Sequence, residues 1–86
     1  MVNHEPFYST ANTELAAYLL SEGFPVLEIQ YESNNGGKQR GVFVFDRTVD
    51  IINRVNLYET GKATINLALF KHAKDRLLDR VMGRLP

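Results

Sequence analysis

The sequence predicts an α+β fold, namely one small domain with the element order α-β-β-α-α, in which an antiparallel β-hairpin packs on helices. Three segments, 13–22, 49–60 and 67–82, carry apolar residues at helical spacing. Between the first two lie a segment of alternating polarity, 26–32, and a second apolar segment, 39–46, separated by a turn signal. Helices around one hairpin are the simplest arrangement of these patterns.

Length and composition predict a single domain over 1–86, with an N-terminal arm at 1–9. The chain has 86 residues, of which 44% are hydrophobic and 23% charged, which is typical of a small globular domain with one modest core. The formal net charge is zero, so a globally basic nucleic-acid binder is not indicated. The charges are nevertheless divided: residues 1–61 carry four basic and eight acidic residues, and residues 62–86 carry six and two.

The first helix has two candidate N-caps, Thr10 and Asn12, because either side chain can accept a hydrogen bond from a first-turn N–H group. We expect the helix to reach Glu22, with Tyr18 on its polar side. Gly23 follows where a left-handed residue ends many helices, and Phe24 can fold back onto the last turn.

The hairpin has one strand with a single apolar face and one strand with two. In 26–32 the polar and apolar residues alternate, as in a half-buried strand. The segment 34–37 reads Asn-Asn-Gly-Gly, which favours a turn, and in 39–46 Val42 and Val44 share one face while Phe43 and Phe45 share the other.

Thr48 is a candidate N-cap for the second helix, and Asn66 for the last one, which we expect to end before Gly83. Leu57 lies outside the apolar arc of the second helix. A short third strand is a further candidate at 63–65.

A two-stranded sheet is marginally stable by itself, and each of its strands offers an unpaired edge. If one face packs on the helices, we expect the other to expose Phe43 and Phe45, and something must cover it. Three occupants are open: the N-terminal arm, the segment 63–65, or a second copy of the chain. We predict self-association, with Phe43, Phe45 and Leu57 as interface residues.

The order of these elements resembles a small family of unknown function found in bacteria and bacteriophages. The matching segments are Tyr8-Ser9-Thr10, Asn12, Leu15-Ala16-Ala17-Tyr18-Leu19, Gly23-Phe24, Phe43-Val44-Phe45-Asp46 and the last helix through Phe70 and Lys74. The resemblance covers about residues 8–78. It implies an α-β-β-α-α domain and supplies no catalytic residue, ligand or cofactor.

Residues for catalysis or metal binding are few. The chain has no cysteine, and its two histidines are His4 in the arm and His72 on the polar side of the last helix. Gly36-Gly37-Lys38 lacks the spacing of a phosphate-binding loop. We therefore predict no enzyme activity, no cofactor and no metal.

The last helix carries a row of basic residues spaced by four, because His72 is followed by Arg76, Arg80 and Arg84. Like charges at this spacing repel, so a phosphate-binding role is one interpretation. A solvated face favoured by the helix dipole is the other. The candidate nucleic-acid contacts are Lys71, Lys74, Arg76, Arg80 and Arg84.

The sequence thus predicts a small non-enzymatic binding module, homodimeric and cytoplasmic, that serves as a nucleic-acid-binding accessory protein. The alternative is a protein-interaction or regulatory module of phage or bacterial origin without nucleic-acid binding. No membrane partner is expected, since no apolar segment approaches the roughly 20 residues that a membrane helix needs.

Overall fold

The computed structural model describes residues 6–33 and 39–84, and the side chains of these residues except for 39 and 82–84. The predicted turn at 34–37, Lys38 and His4 lie outside the described residues. The elements in chain order are β1 (Phe7–Thr10), α1 (Thr13–Ser21), β2 (Glu28–Ser33), β3 (Gln39–Asp46), α2 (Val49–Glu59) and α3 (Leu67–Arg84). The α+β class and the antiparallel hairpin packed on helices are confirmed.

The sheet has three strands in the order β1-β3-β2, all antiparallel to their neighbours. The third strand is β1, in the segment that the sequence predicts to be an arm, and the strand predicted at 63–65 is wrong. Residues 62–66 form no strand because β1 and β2 already occupy both edges of β3. The order is therefore β-α-β-β-α-α.

Side chains alternate across the sheet, and the register determines which face meets the helices. Tyr8 lies opposite Phe45, and Ile29 lies opposite Phe43. All four side chains belong to the core or pack against it, so this face of the sheet is the one that the helices cover.

The helix starts follow the predicted capping residues. Asn12, not Thr10, is the N-cap of α1, and its Oδ1 accepts hydrogen bonds from the N–H groups of Glu14 and Leu15 at 3.0 and 3.2 Å. The Thr10 hydroxyl oxygen accepts from the Asn12 N–H instead. Thr48 caps α2, and the Asn66 side chain accepts from Leu69 N–H in the first turn of α3.

Helix α1 lies at the centre of the core. Its buried residues surround almost the whole helix, because α3, α2 and β1 all pack against it. The placement of Tyr18 on a polar side is therefore wrong: its ring is buried and stacks on Tyr58 of α2, with ring centroids 5.7 Å apart.

Helix α3 buries a narrow seam formed by Ala73 and Leu77. Leu67 and Leu78 do not join this seam, and both are exposed, because they lie on a flank that no other described element covers. Lys74 is half-buried at the edge of the seam, with its Nζ 4.0 Å from a carboxylate oxygen of Glu14. The helix also continues through Gly83 to Arg84.

Candidate binding groove

The two phenylalanines predicted for an interface lie inside the molecule. Phe43 and Phe45 are 1% and 0% exposed, because the register turns both rings towards the helices. Val42 and Val44 point to the opposite face of the sheet, which is the outer face that the helices do not cover. The expectation that these rings lie on an open face is wrong, and neither ring is placed to meet a partner or to stack on a base.

Leu57, the third predicted interface residue, is half-buried on α2 and does not join the phenylalanines. It borders a cavity of about 420 Å³ between α2 and the end of α1, lined by Glu22, Phe24, Asp50, Asn53, Arg54 and Leu57. The guanidinium of Arg54 is 2.9 Å from the Glu22 carboxylate, and the carboxylate of Asp50 is a third charged group in the lining.

The predicted basic residues of α3 lie on two flanks of the helix. With about 100° per residue, Lys71 and Lys74 fall on one side of the buried seam. Arg76 and Arg80 fall on the other side, and both are exposed. The side chain of Arg84 lies outside the described residues. The candidates therefore do not form one continuous basic surface.

The Arg80 side chain borders a groove along β2 that the sequence analysis does not predict. Its volume is about 430 Å³, and it is lined by Leu27, Glu28, Ile29, Tyr31 and Arg80. Ile29 packs against the core on the helix-facing side of β2, and the alternation of the strand places Tyr31 on the same face. Leu27, just before the strand, borders the groove, and α3 brings Arg80 beside these side chains. The alternation of polar and apolar residues in 26–32 indicates the side chains on the strand side of this groove. No local pattern indicates that Arg80, about fifty positions later, lies beside them.

The charged side chains in and near the groove differ in whether they have an ion-pair or hydrogen-bond partner. No described carboxylate lies within 4.0 Å of the Arg80 or Arg76 guanidinium in an ion pair. Glu28 accepts a hydrogen bond from Gln30 Nε2 at 3.2 Å, and on the outer face Arg40 pairs with Glu32 at 3.1 Å. The exposed lining of the groove is mainly polar, with some apolar surface along β2, and among the described residues Arg80 retains its capacity to bind an anion.

The fold changes the titration of Tyr8, which lies outside the groove. Burial raises the pKa of the Tyr8 hydroxyl above its ordinary value of 10.0, and the nearby negative charge of Glu59 raises it further. The hydroxyl therefore stays neutral where β1 packs on the core, which suits a structural role.

Metal sites and membrane-spanning helices are two features of the described residues that bear on function. Within 6–33 and 39–84, no three histidine or acidic side chains are grouped so that they could hold a metal ion. Among the helices of the same residues, none has the length and apolar character to cross a membrane.

Fold and groove together define a small α+β domain with a three-stranded antiparallel sheet, a helical layer on one face and, at β2, an edge with which no other described strand pairs. The chain belongs to the family described as Domain of unknown function (DUF5659), whose model matches residues 5–83. The resemblance to a family of unknown function is thereby confirmed. No curated protein and no solved structure matches the chain.

Proposed function

We propose that this protein is a non-catalytic binding module that recognises a segment of another protein in the groove between β2 and α3. The observation that supports this is the groove itself, where an edge strand, the side chains of Leu27 and Ile29, and an arginine with no ion-pair partner among the described residues meet. Edge strands beside a helix are a recurring place for proteins to bind extended segments. We further propose that it acts in the cytoplasm of a bacterium or as a bacteriophage product, in keeping with its lack of cysteine.

The test is a selection of random 12-residue linear peptides on the immobilised protein. We expect the selected peptides to bind the wild-type chain and to lose binding to Leu27→Asp, which places a charge on the apolar side of the groove. Leu27 is 45% exposed, so the change should leave the core intact.

The matched control is Leu67→Asp, on the far flank of α3, where the leucine is 68% exposed. This variant should retain peptide binding, and circular dichroism should show that both variants fold. Peptides that bind wild type and Leu27→Asp equally, or a selection that yields no binder, would contradict the proposal.

Nucleic-acid binding is the second candidate, supported by Arg76 and Arg80, which are exposed and form no ion pair with any carboxylate that the structure describes. It predicts binding of single-stranded or duplex oligonucleotides at about 50 mM salt, with a salt slope reduced by about one for each contact removed. Lys62→Gln is the control: this residue lies in the loop before α3 and is not a candidate contact, so the salt slope should not change. The absence of any fluorescence anisotropy change with either oligonucleotide would exclude it.

Self-association stays a prediction. Two features of the sequence predicted it, the unpaired strand edges and the exposed phenylalanines, but β1 pairs with one edge of β3 and Phe43 is buried. Among the described residues, the edge of β2 is where a second copy could still pair. Sedimentation velocity at high micromolar concentration distinguishes a dimer from a monomer directly.

A further inference from the structure

We infer that the groove takes an extended peptide, which pairs with the edge of β2 and places a carboxylate against Arg80. This inference rests on the proposed function and specifies the chemistry of the partner. Three features of the described residues support it: the direction of the backbone groups of β2, the face on which its apolar side chains lie, and the charge of Arg80.

The hydrogen-bonding pattern of the sheet shows which backbone groups point towards the groove. Arg47 N–H donates to Pro6 C=O at 3.1 Å, so odd-numbered residues of β3 bond to β1. Leu27 N–H donates to Val44 C=O at 2.8 Å, so even-numbered residues of β3 bond to β2. With Gln30 opposite Val42, the N–H and C=O of Ile29 point away from β3, towards the position of an added strand.

A strand added at this edge would lie about 4.8 Å from β2, and its side chains would alternate between the two faces of the sheet. Those on the helix side would enter the space between α3 and the apolar side chains of Leu27 and Ile29. Alternate residues of the peptide would thus be recognised by the groove, while the others would point to solvent.

Charge selects an acidic residue for one of those inward positions. Arg80 lines the groove, and no described carboxylate is within ion-pair distance of its guanidinium. Glu28 also lines the groove, but its position in β2 directs its side chain to the opposite face, where it holds Gln30. An arginine with free donors binds a carboxylate in a bidentate geometry, which is stronger than a neutral hydrogen bond.

A second copy of the chain is the less favourable occupant. Two β2 strands paired about a twofold axis would bring both Arg80 side chains to the same edge, where like charges repel. A peptide with one carboxylate avoids this conflict.

The experiment uses the full chain and fluorescent eight-residue peptides of alternating threonine and valine, with aspartate, asparagine or lysine at one inward position. We expect the aspartate peptide to bind about tenfold more tightly than the asparagine peptide, as a charged rather than neutral partner of arginine would give. Arg80→Glu should reverse the preference in favour of lysine. Arg76→Glu, one turn away and outside the groove, should leave the order unchanged.

Backbone pairing is tested separately by peptides that are N-methylated on alternate amides. Methylation of the amides that face β2 should abolish binding, whereas methylation of the amides that face solvent should have little effect. Equal binding of the aspartate and asparagine peptides, or equal effects of both methylation patterns, would overturn the inference.

The outcomes also separate this inference from the proposed function. Selected library peptides that require Leu27 but show no acidic preference would overturn the carboxylate assignment and leave the binding module standing. A dimer that Leu27→Asp dissociates would show that a second copy occupies the groove, and this would overturn the peptide assignment. Oligonucleotide binding lost equally in Arg76→Glu and Arg80→Glu, without peptide binding, would overturn both.

Discussion

Gly41 is a strand residue with helix α3 close to its backbone. It lies on the helix-facing side of β3, opposite Tyr31. A Cβ atom built there would lie 3.2 Å from Val81 Cγ2 and 3.3 Å from Ile29 Cγ2, closer than ordinary van der Waals contact. The absence of a side chain in the middle of a strand therefore lets α3 pack directly on the hairpin.

We predict that Gly41→Ala lowers the free energy of unfolding by about 1 kcal/mol, because overpacking outweighs the smaller gain from a less flexible unfolded chain. Urea denaturation measures the change. In the double variant Gly41→Ala/Val81→Ala, the alanine methyl has room, so the loss should be smaller than the sum of the single losses. A Gly41→Ala chain as stable as wild type would contradict this account of the contact.

Asn12 acts at the scale of an element, because its side chain fixes where α1 begins. Its Oδ1 satisfies two N–H groups that have no partner within the helix, those of Glu14 and Leu15. Helix α1 packs on α2, α3 and β1, so the position of its first turn affects every layer of the core.

We predict that Asn12→Ala lowers the free energy of unfolding by about 1 kcal/mol, the usual cost of losing a cap. Asn12→Asp keeps an acceptor in the same place and should stay close to wild type. Both values come from urea denaturation followed by far-ultraviolet circular dichroism. Equal stability of the alanine and aspartate variants would show that the cap contributes nothing.

At the scale of the whole molecule, β1 decides what the sheet exposes. It covers the edge of β3 that the hairpin alone would leave open, and it brings Tyr8 against the core. Residues 7–10 therefore act in two ways, by closing that edge and by packing the Tyr8 ring on the core.

We predict that a chain beginning at Ala11 melts at a lower temperature and self-associates more than the full chain, since its central strand regains an unpaired edge. Thermal melting and sedimentation velocity measure the two effects. A chain beginning at Pro6 keeps β1 and is the matched control, and it should behave like the full chain. If both truncated chains behave alike, the pairing of β1 with β3 does not protect the sheet.

The local signals in the sequence determined every described element except β1, which the sequence predicted as an arm. Alternation specifies β2, helical spacing specifies the three helices, and the capping residues Asn12, Thr48 and Asn66 specify where those helices begin. Gly23, with a φ of +97°, ends α1 as its position predicts. These features depend on residues within about four positions of one another, which is why pattern alone suffices for them.

Only the tertiary structure decided which face of β3 became the core, because both faces are apolar and its pattern permits either. The pairing of 7–10 with β3 and the approach of Arg80 to β2 are contacts between residues far apart in the chain, and no periodicity records them. The candidate groove therefore depends on packing. The side chains along β2 follow from the pattern of the strand, whereas the positive charge of Arg80 depends on the position of α3 in the fold.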